Sequence, residues 1–331
     1  MGKFLEAEKQ RLIPFKAASP LFSEAARADG IYRKKPRPFC LPRSHAEENL
    51  VPEIRGAITK YFSDFKIKWH DDQNGKPSNH LCSSQVCCAN FLFPFADKPR
   101  PLVELLRPLY PSIEKMLPME VEDQFVSIEW IGEQNYLGEK MPRHGKRIRG
   151  ALFTSADAAV RFRRADGLIQ IVLIEWKYTE SYSTVSYKKS KSGTDRTKIY
   201  NHLYQRPDFP LDKNLLPGFE SLFYEPFYQF FRQQALANEM ERARELDADI
   251  VSLLHIAPAH NKEFQRVTSP PLRTLGDRVV DVWKTLQRQP DRFASTSVEA
   301  LFGPFPVDLF PQTAGWWAYI TARYPWVLDP S

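Results

Sequence analysis

The segment IQIVLIEWKYTE at 169–180 constrains the fold more than any other part of the chain. Successive side chains of a β-strand alternate between faces, so Val172, Ile174 and Trp176 share one apolar face. Glu175 and Lys177, two residues apart, are both sent to the opposite face. A second segment, TSADAAVRF at 154–162, also reads as a strand and carries Asp157. Gly167, in the short RRADG stretch between them, supplies a turn, and the resulting hairpin sets Asp157 beside Glu175. Two adjacent carboxylates make a site for a hard divalent cation.

The charge of the chain is distributed around this pair. Between Lys140 and Arg206 there are 15 Lys or Arg against 5 Asp or Glu, so a net +6 chain concentrates its positive charge about the acidic residues. Such a belt suits a polyanionic substrate, with basic side chains on phosphates and carboxylates on metal. The plainer reading of a basic run is a solvated surface. The residues that would meet the phosphates of such a substrate are Arg143, Lys146, Arg147 and Arg149, then Lys188, Lys189, Lys191, Arg196 and Lys198, with Arg232 downstream.

With 43% hydrophobic and 26% charged residues in 331, a globular α/β core with extensions at both ends is expected. No apolar run approaches the length of a membrane span and the first residues lack a signal-like apolar stretch, so no membrane association and a cytoplasmic location are expected. Cys40, Cys82, Cys87 and Cys88 read as reduced thiols, and their spacing does not suit structural zinc.

Three segments are expected: an N-terminal arm over 1–47, a core over 48–262 and a C-terminal extension over 263–331 packed on the core. In the arm, LFSEAARADG reads as a short helix, while three prolines and five basic residues between Arg33 and Arg43 argue against a regular element. Leu50, Ile54, Ile58 and Phe62 have helical spacing, HLCSSQVCCANFLFPF reads as a buried helix ended by Pro94, and a further helix is expected over 101–117. QFVSIEW reads as a strand, 180–206 as a polar loop followed by a short basic helix, 223–245 as a long helix, and DADIVSLLHIAP as a buried strand. The result is a mixed sheet with helices on both sides. RVVDVWKTLQRQ reads as a helix in the extension. Trp316, Trp317, Tyr319 and Trp326 either stack on bases or close a core, and packing is the favoured reading.

An acid on one strand, an acid-x-Lys triplet on the next and a glutamine on a following helix resemble the signature of the PD-(D/E)XK nuclease superfamily. Asp157 matches the first acid, Glu175-Trp176-Lys177 the triplet, and Gln229 in FYQFFRQQALA the glutamine. SSQVCCANFLFPF, TSADAAVRF, LIEWKYTESY and FYQFFRQQALANEME together look like a bacterial branch of restriction endonucleases within that superfamily, over roughly 78–260. The resemblance implies a restriction-endonuclease-like fold, DNA as substrate, and Mg²⁺, with Mn²⁺ as a substitute, held by Asp157 and Glu175 and the Trp176 carbonyl. It also implies that Lys177 acts on the attacking water or on transition-state charge, and that Gln229 positions water or phosphate. Many members carry a metal-binding glutamate on the first core helix. Here that helix offers only Gln85 and Asn90, and Glu129 on the neighbouring strand is the substitute.

Other readings stay open at this stage. Glu175 and Lys177 can be an ordinary salt pair with Asp157 capping a turn, and the chain can be a DNA-binding or regulatory protein that keeps a nuclease fold without cleaving. A homodimer fits double-strand cleavage, which takes two active sites. His144, His202, His255 and His260 read as surface or packed residues, and no nucleotide-binding P-loop, HExxH or GxSxG pattern is present.

Overall fold

The computed structural model describes residues 2–71, 75–121, 123–142, 145–151 and 153–329. In chain order come α1 (Lys3–Ala18), β1 (Gly30–Tyr32), β2 (Lys35–Arg37), α2 (Arg55–Asp64), α3 (Ser84–Leu92) and α4 (Pro99–Leu106). β3 (Ile113–Leu117), β4 (Val126–Trp130), β5 (Ala156–Arg164) and β6 (Ile169–Trp176) follow, then α5 (Thr197–Tyr204), α6 (Phe227–Ala243) and β7 (Ile250–Ala257). The chain continues through α7 (Val279–Leu286), β8 (Phe293–Ser297), α8 (Val298–Phe302) and α9 (Ala314–Arg323).

Six strands form one mixed sheet in the order β3-β5-β6-β7-β8, with β4 also on β5. β5 and β6 make the expected antiparallel hairpin, from Ala158 opposite Ile174 to Arg163 opposite Ile169, and Gly167 turns it at φ +86°. The outer edge of β5 is shared, β3 taking Arg161–Arg164 and β4 taking the half nearer Ala156. β7 and β8 add in parallel on the other side.

The alternation read from the sequence is the partition of the core. Val172, Ile174 and Trp176 enter one apolar cluster with α2, α3, α4, α8 and α9. Ile171 and Leu173 enter the other, beneath α6 and α7. α3 is buried over all but its first residue, with Gln85 and Asn90 as the polar residues among those it buries, and Ser83 caps it by accepting the Val86 N–H. α6 lays Phe227, Phe230 and Phe231 on the sheet. Trp316, Tyr319 and Trp326 are packed in the core, in line with the packing reading, and all four cysteines are buried thiols. Among the described residues no helix is long and apolar enough to cross a membrane.

Several local expectations are corrected. The proline-rich basic stretch forms the β1–β2 ribbon, turning at Arg33 and Lys34 with positive φ; Pro36 is tolerated because a two-stranded ribbon leaves each strand an open edge. LFSEAARADG keeps only a 3₁₀ turn at Ala25–Arg27, and the long helix lies earlier, as α1. The helix expected over 101–117 stops at Leu106, since Pro108 and Pro111 interrupt it and release Ile113–Leu117 as β3. The helix expected through Leu50, Ile54, Ile58 and Phe62 begins only at Arg55, after 3₁₀ turns that include Pro52. β8, within the expected extension, is a strand of the main sheet.

The two ends of the chain meet below β6. Glu8 of α1 accepts hydrogen bonds from the Tyr178 hydroxyl and, at 3.2 Å, from the Trp326 indole.

Candidate active site

Pairing between β5 and β6 stops at Ala158–Ile174, although both strands run on. Beyond that point the Trp176 N–H donates to Asp157 Oδ2 at 2.7 Å, so the Asp157 carboxylate fills the fork where the strands part. On the other flank, Ile128 faces Ala158 and Trp130 faces Ala156, which brackets Glu129 opposite Asp157. On β7, His255 is the partner of Glu175. Adjacent strands therefore line up Glu129, Asp157, Glu175 and His255 in one row across the sheet.

Each member of the row is held from outside its own strand. Glu175 is 2% exposed; Lys177 forms an ion pair with its Oε1, and the Gln233 amide of α6 donates to its Oε2. Gln233 Nε2 also donates to the Ser155 carbonyl at 2.9 Å. Glu129 sits in β4 with φ +54°, a conformation uncommon outside glycine, and is fixed there by several donors. Gln85 Nε2 at 2.9 Å and Ser155 Oγ at 2.7 Å donate to its carboxylate, and His70 Nε2 lies at 3.3 Å. Gln85, on the first core helix, thus reaches the row through Glu129.

Burial and like charge act together on these groups. Burial, then the neighbouring Glu175, raises the Asp157 pKa well above the usual carboxylate range. Burial opposes the Lys177 ammonium, but Glu175, Tyr182 and Asp157 outweigh it and its pKa is raised. Burial likewise opposes ionisation of Glu129, yet the bonds from His70, Ser155 and Gln85 hold its pKa low. His255 is neutral, because burial and the nearby Lys177 pull its pKa down to about 3.

The three carboxylates of the row open on a cleft of about 210 Å³ that is lined also by His70 and by Gln229, Arg232 and Gln233 from α6. Lys177, 4% exposed, stands behind Glu175. Gln229 faces the cleft with its Oε1 accepting from the Tyr182 hydroxyl at 3.1 Å; one turn later, Gln233 is the residue on Glu175. Gln233 carries the same helical signal as Gln229, four residues on along the same face. His70, far from the other members in sequence and beside no motif, has no such signal. Among the described residues no set of three or more His, Cys, Asp or Glu converges tightly enough to hold a metal by itself.

The basic residues divide into three groups. Arg149 is interior, 8% exposed, with its guanidinium on Glu120, the Tyr61 hydroxyl, Ser127 Oγ and the Ile128 and Glu129 carbonyls; it braces β4 and is not placed to meet a polyanion. Arg147 is tied to the Gly132 and Ile131 carbonyls, and Arg232 lies over the Tyr228 ring at 4.6 Å while lining the cleft. Lys146, Lys189, Lys191 and Lys198 are exposed, Lys188 pairs with Glu220 at 3.2 Å, and Arg196 donates to the Tyr187 carbonyl at 2.9 Å. Lys189 bridges to Asp195, so the 186–198 loop is a small β-turn projection. Arg143 and His144 lie outside the described residues.

The family model described as Restriction Endonuclease associating with ARP matches residues 15–325, nearly the whole chain. No curated protein and no solved structure matches it. The chain belongs to this restriction-endonuclease family.

Proposed function

We propose that the chain is a metal-dependent DNA endonuclease of the PD-(D/E)XK type, using Mg²⁺ or, in its place, Mn²⁺. The observation that carries this reading is the meeting of Asp157, Glu175, Lys177 and the α6 glutamines at the fork between β5 and β6. A restriction-endonuclease family supports nuclease chemistry and DNA as the substrate.

The donor set fits a hard cation. Asp157, Glu175 and Glu129 offer only carboxylate oxygens, and burial followed by the adjacent Glu175 disfavours a charged Asp157, a cost that a bound cation would offset. Asp157 and Glu175 would hold the ion with the Trp176 carbonyl. Both Glu175 oxygens are engaged, so a cation shares one of them with Lys177 or Gln233. When bound, the ion supplies charge stabilisation for the phosphorane and the leaving oxygen.

The remaining roles fall to the chain. Lys177, already an ammonium in its ion pair, orients the attacking water and offsets transition-state charge rather than accepting the first proton. Gln233 fixes the carboxylate, and Gln229 and Arg232 face the space where a phosphate would sit. Lys188, Lys189, Lys191, Arg196 and Lys198 would track the flanking backbone. A homodimer would supply the second site for cutting both strands, in restriction or defence.

The test is incubation of purified protein with plasmid and Mg²⁺, with and without EDTA. Nicking or linearisation that EDTA and Asp157→Ala both abolish is expected. Plasmid that is bound yet intact in both Mg²⁺ and Mn²⁺ would make the chain a DNA-binding protein on a nuclease fold.

A further inference from the structure

Beside the acidic row, a second cleft of about 850 Å³ runs along β8 from Phe293 to Ser297 and past the carboxyl end of β7. That volume lies in the range of small-molecule sites, roughly 300–1,000 Å³, and the carboxyl ends of parallel strands are where open α/β sheets place their ligands. His255 forms part of its wall. The ring is 3% exposed, stacks on Phe264 at 4.8 Å and 10°, and has Nδ1 2.9 Å from Ser295 Oγ. Its Nε2 is buried with no hydrogen-bond partner among the described residues. A buried polar atom left in that state costs on the order of 1–3 kcal/mol, which a ligand bonding to it would recover.

The rest of the lining divides by chemistry. Phe264 and Phe293, both nearly fully buried, form the apolar floor with the half-buried Val280 beside them, whereas Lys262, Arg278 and Lys284 bring three cations. The acidic side chain among them, Asp281, lies 3.6 Å from Arg278 and leaves the two lysines to an incoming anion. An orphaned imidazole nitrogen, an apolar floor and two exposed lysines match a base joined to a phosphate. We propose that this cleft binds a mononucleotide, its phosphate at Lys262 and Lys284 and its base edge at His255 Nε2. The site shares no lining residue with the acidic cleft, although His255 is the register partner of Glu175, and it does not depend on cleavage.

The experiment is calorimetric titration of the full chain, in EDTA, with AMP, GMP, CMP and UMP and with inorganic phosphate and adenosine as fragments. At least one nucleotide should bind at least tenfold more tightly than either fragment. Lys262→Ala with Lys284→Ala, both on the surface, should weaken it at least tenfold, and Asp157→Ala should leave it unchanged. In histidine-labelled protein the His255 Nε2 resonance should move on addition of that nucleotide. Four outcomes overturn the proposal: no binding of any nucleotide at millimolar concentration, binding no tighter than phosphate alone, affinity indifferent to the two lysines or lost with Asp157, or a His255 resonance that stays in place.

Discussion

Gln233 donates its side-chain amide to the Glu175 carboxylate, across the gap between α6 and β6, while Gln229 one turn earlier is bonded to Tyr182. The two glutamines therefore do different work. Gln233→Ala frees an oxygen of Glu175 and should lower single-turnover cleavage by about 10- to 100-fold, the scale of losing one oriented polar group in a site. Gln229→Ala should cost less, and equal losses would show that the pair acts on phosphate instead of on Glu175.

Asp157→Ala and Glu175→Ala should each abolish Mg²⁺-dependent cleavage and leave the circular dichroism spectrum unchanged. Asp157→Ala should also raise the melting temperature measured in EDTA, because it removes a buried carboxyl crowded by Glu175. Wild-type cleavage by either variant removes the proposed metal site.

Lys177→Ala should keep DNA and metal binding and lose cleavage by about a hundredfold or more. Loss of DNA binding in the same measure would make the lysine a phosphate anchor.

Arg149 and the 186–198 loop should respond in opposite ways. Neutralising Lys188, Lys189 and Lys191 should flatten the salt dependence of DNA affinity, by about one unit of slope for each phosphate no longer neutralised, with stability unchanged. Arg149→Leu leaves Glu120 buried without its cation and should cost about 3–5 kcal/mol in urea unfolding. A slope indifferent to the three lysines would make the loop a bystander.

Acid should destabilise the fold through His80. Burial and the neighbouring Lys9 push its pKa down to about 4, and its Nδ1 accepts the Cys82 N–H at 3.0 Å, which requires the neutral ring. The unfolded chain takes up a proton near pH 6.5 and the folded chain does not, so stability falls from about pH 6.5 towards pH 4. His80→Gln should remove part of that acid limb, on the order of 1–3 kcal/mol at pH 4. An unfolding profile identical to wild type over that range would show that the ring is solvated.

The hairpin was legible because strand alternation is a local rule: Val172, Ile174 and Trp176 could not share a face with Glu175 and Lys177. The long helix over Phe227–Ala243 was legible for a similar reason, through its repeated aromatic spacing. α1 was hidden because what it buries besides Leu12 is Glu8, Lys9 and the whole of Lys16, whose ammonium donates to the Ala28 and Cys40 carbonyls, and all three read as polar in a sequence. β8 was hidden because FASTS is a short, half-exposed edge strand with only Phe293 well buried. His70 and Arg149 carry no local pattern, and their roles arise only when distant segments close on β4. Gln233 was visible on the right face, but choosing between it and Gln229 takes a bond to Glu175 that helical periodicity does not specify.

The junction of Glu8 with Tyr178 and Trp326 sets an order of events during synthesis. Tyr178 directly follows the proposed catalytic lysine; its hydroxyl is bonded to Glu8, and Trp326 both bonds Glu8 and sets its ring 6.0 Å from that of Tyr178. A ribosome-bound chain carries the acidic strands long before Trp326 has emerged, and β8 at 293–297 also arrives late. Contacts so distant along the chain form slowly and only once both partners exist. A chain assembled this way completes the packing behind the acidic strands only when its last segments have been made.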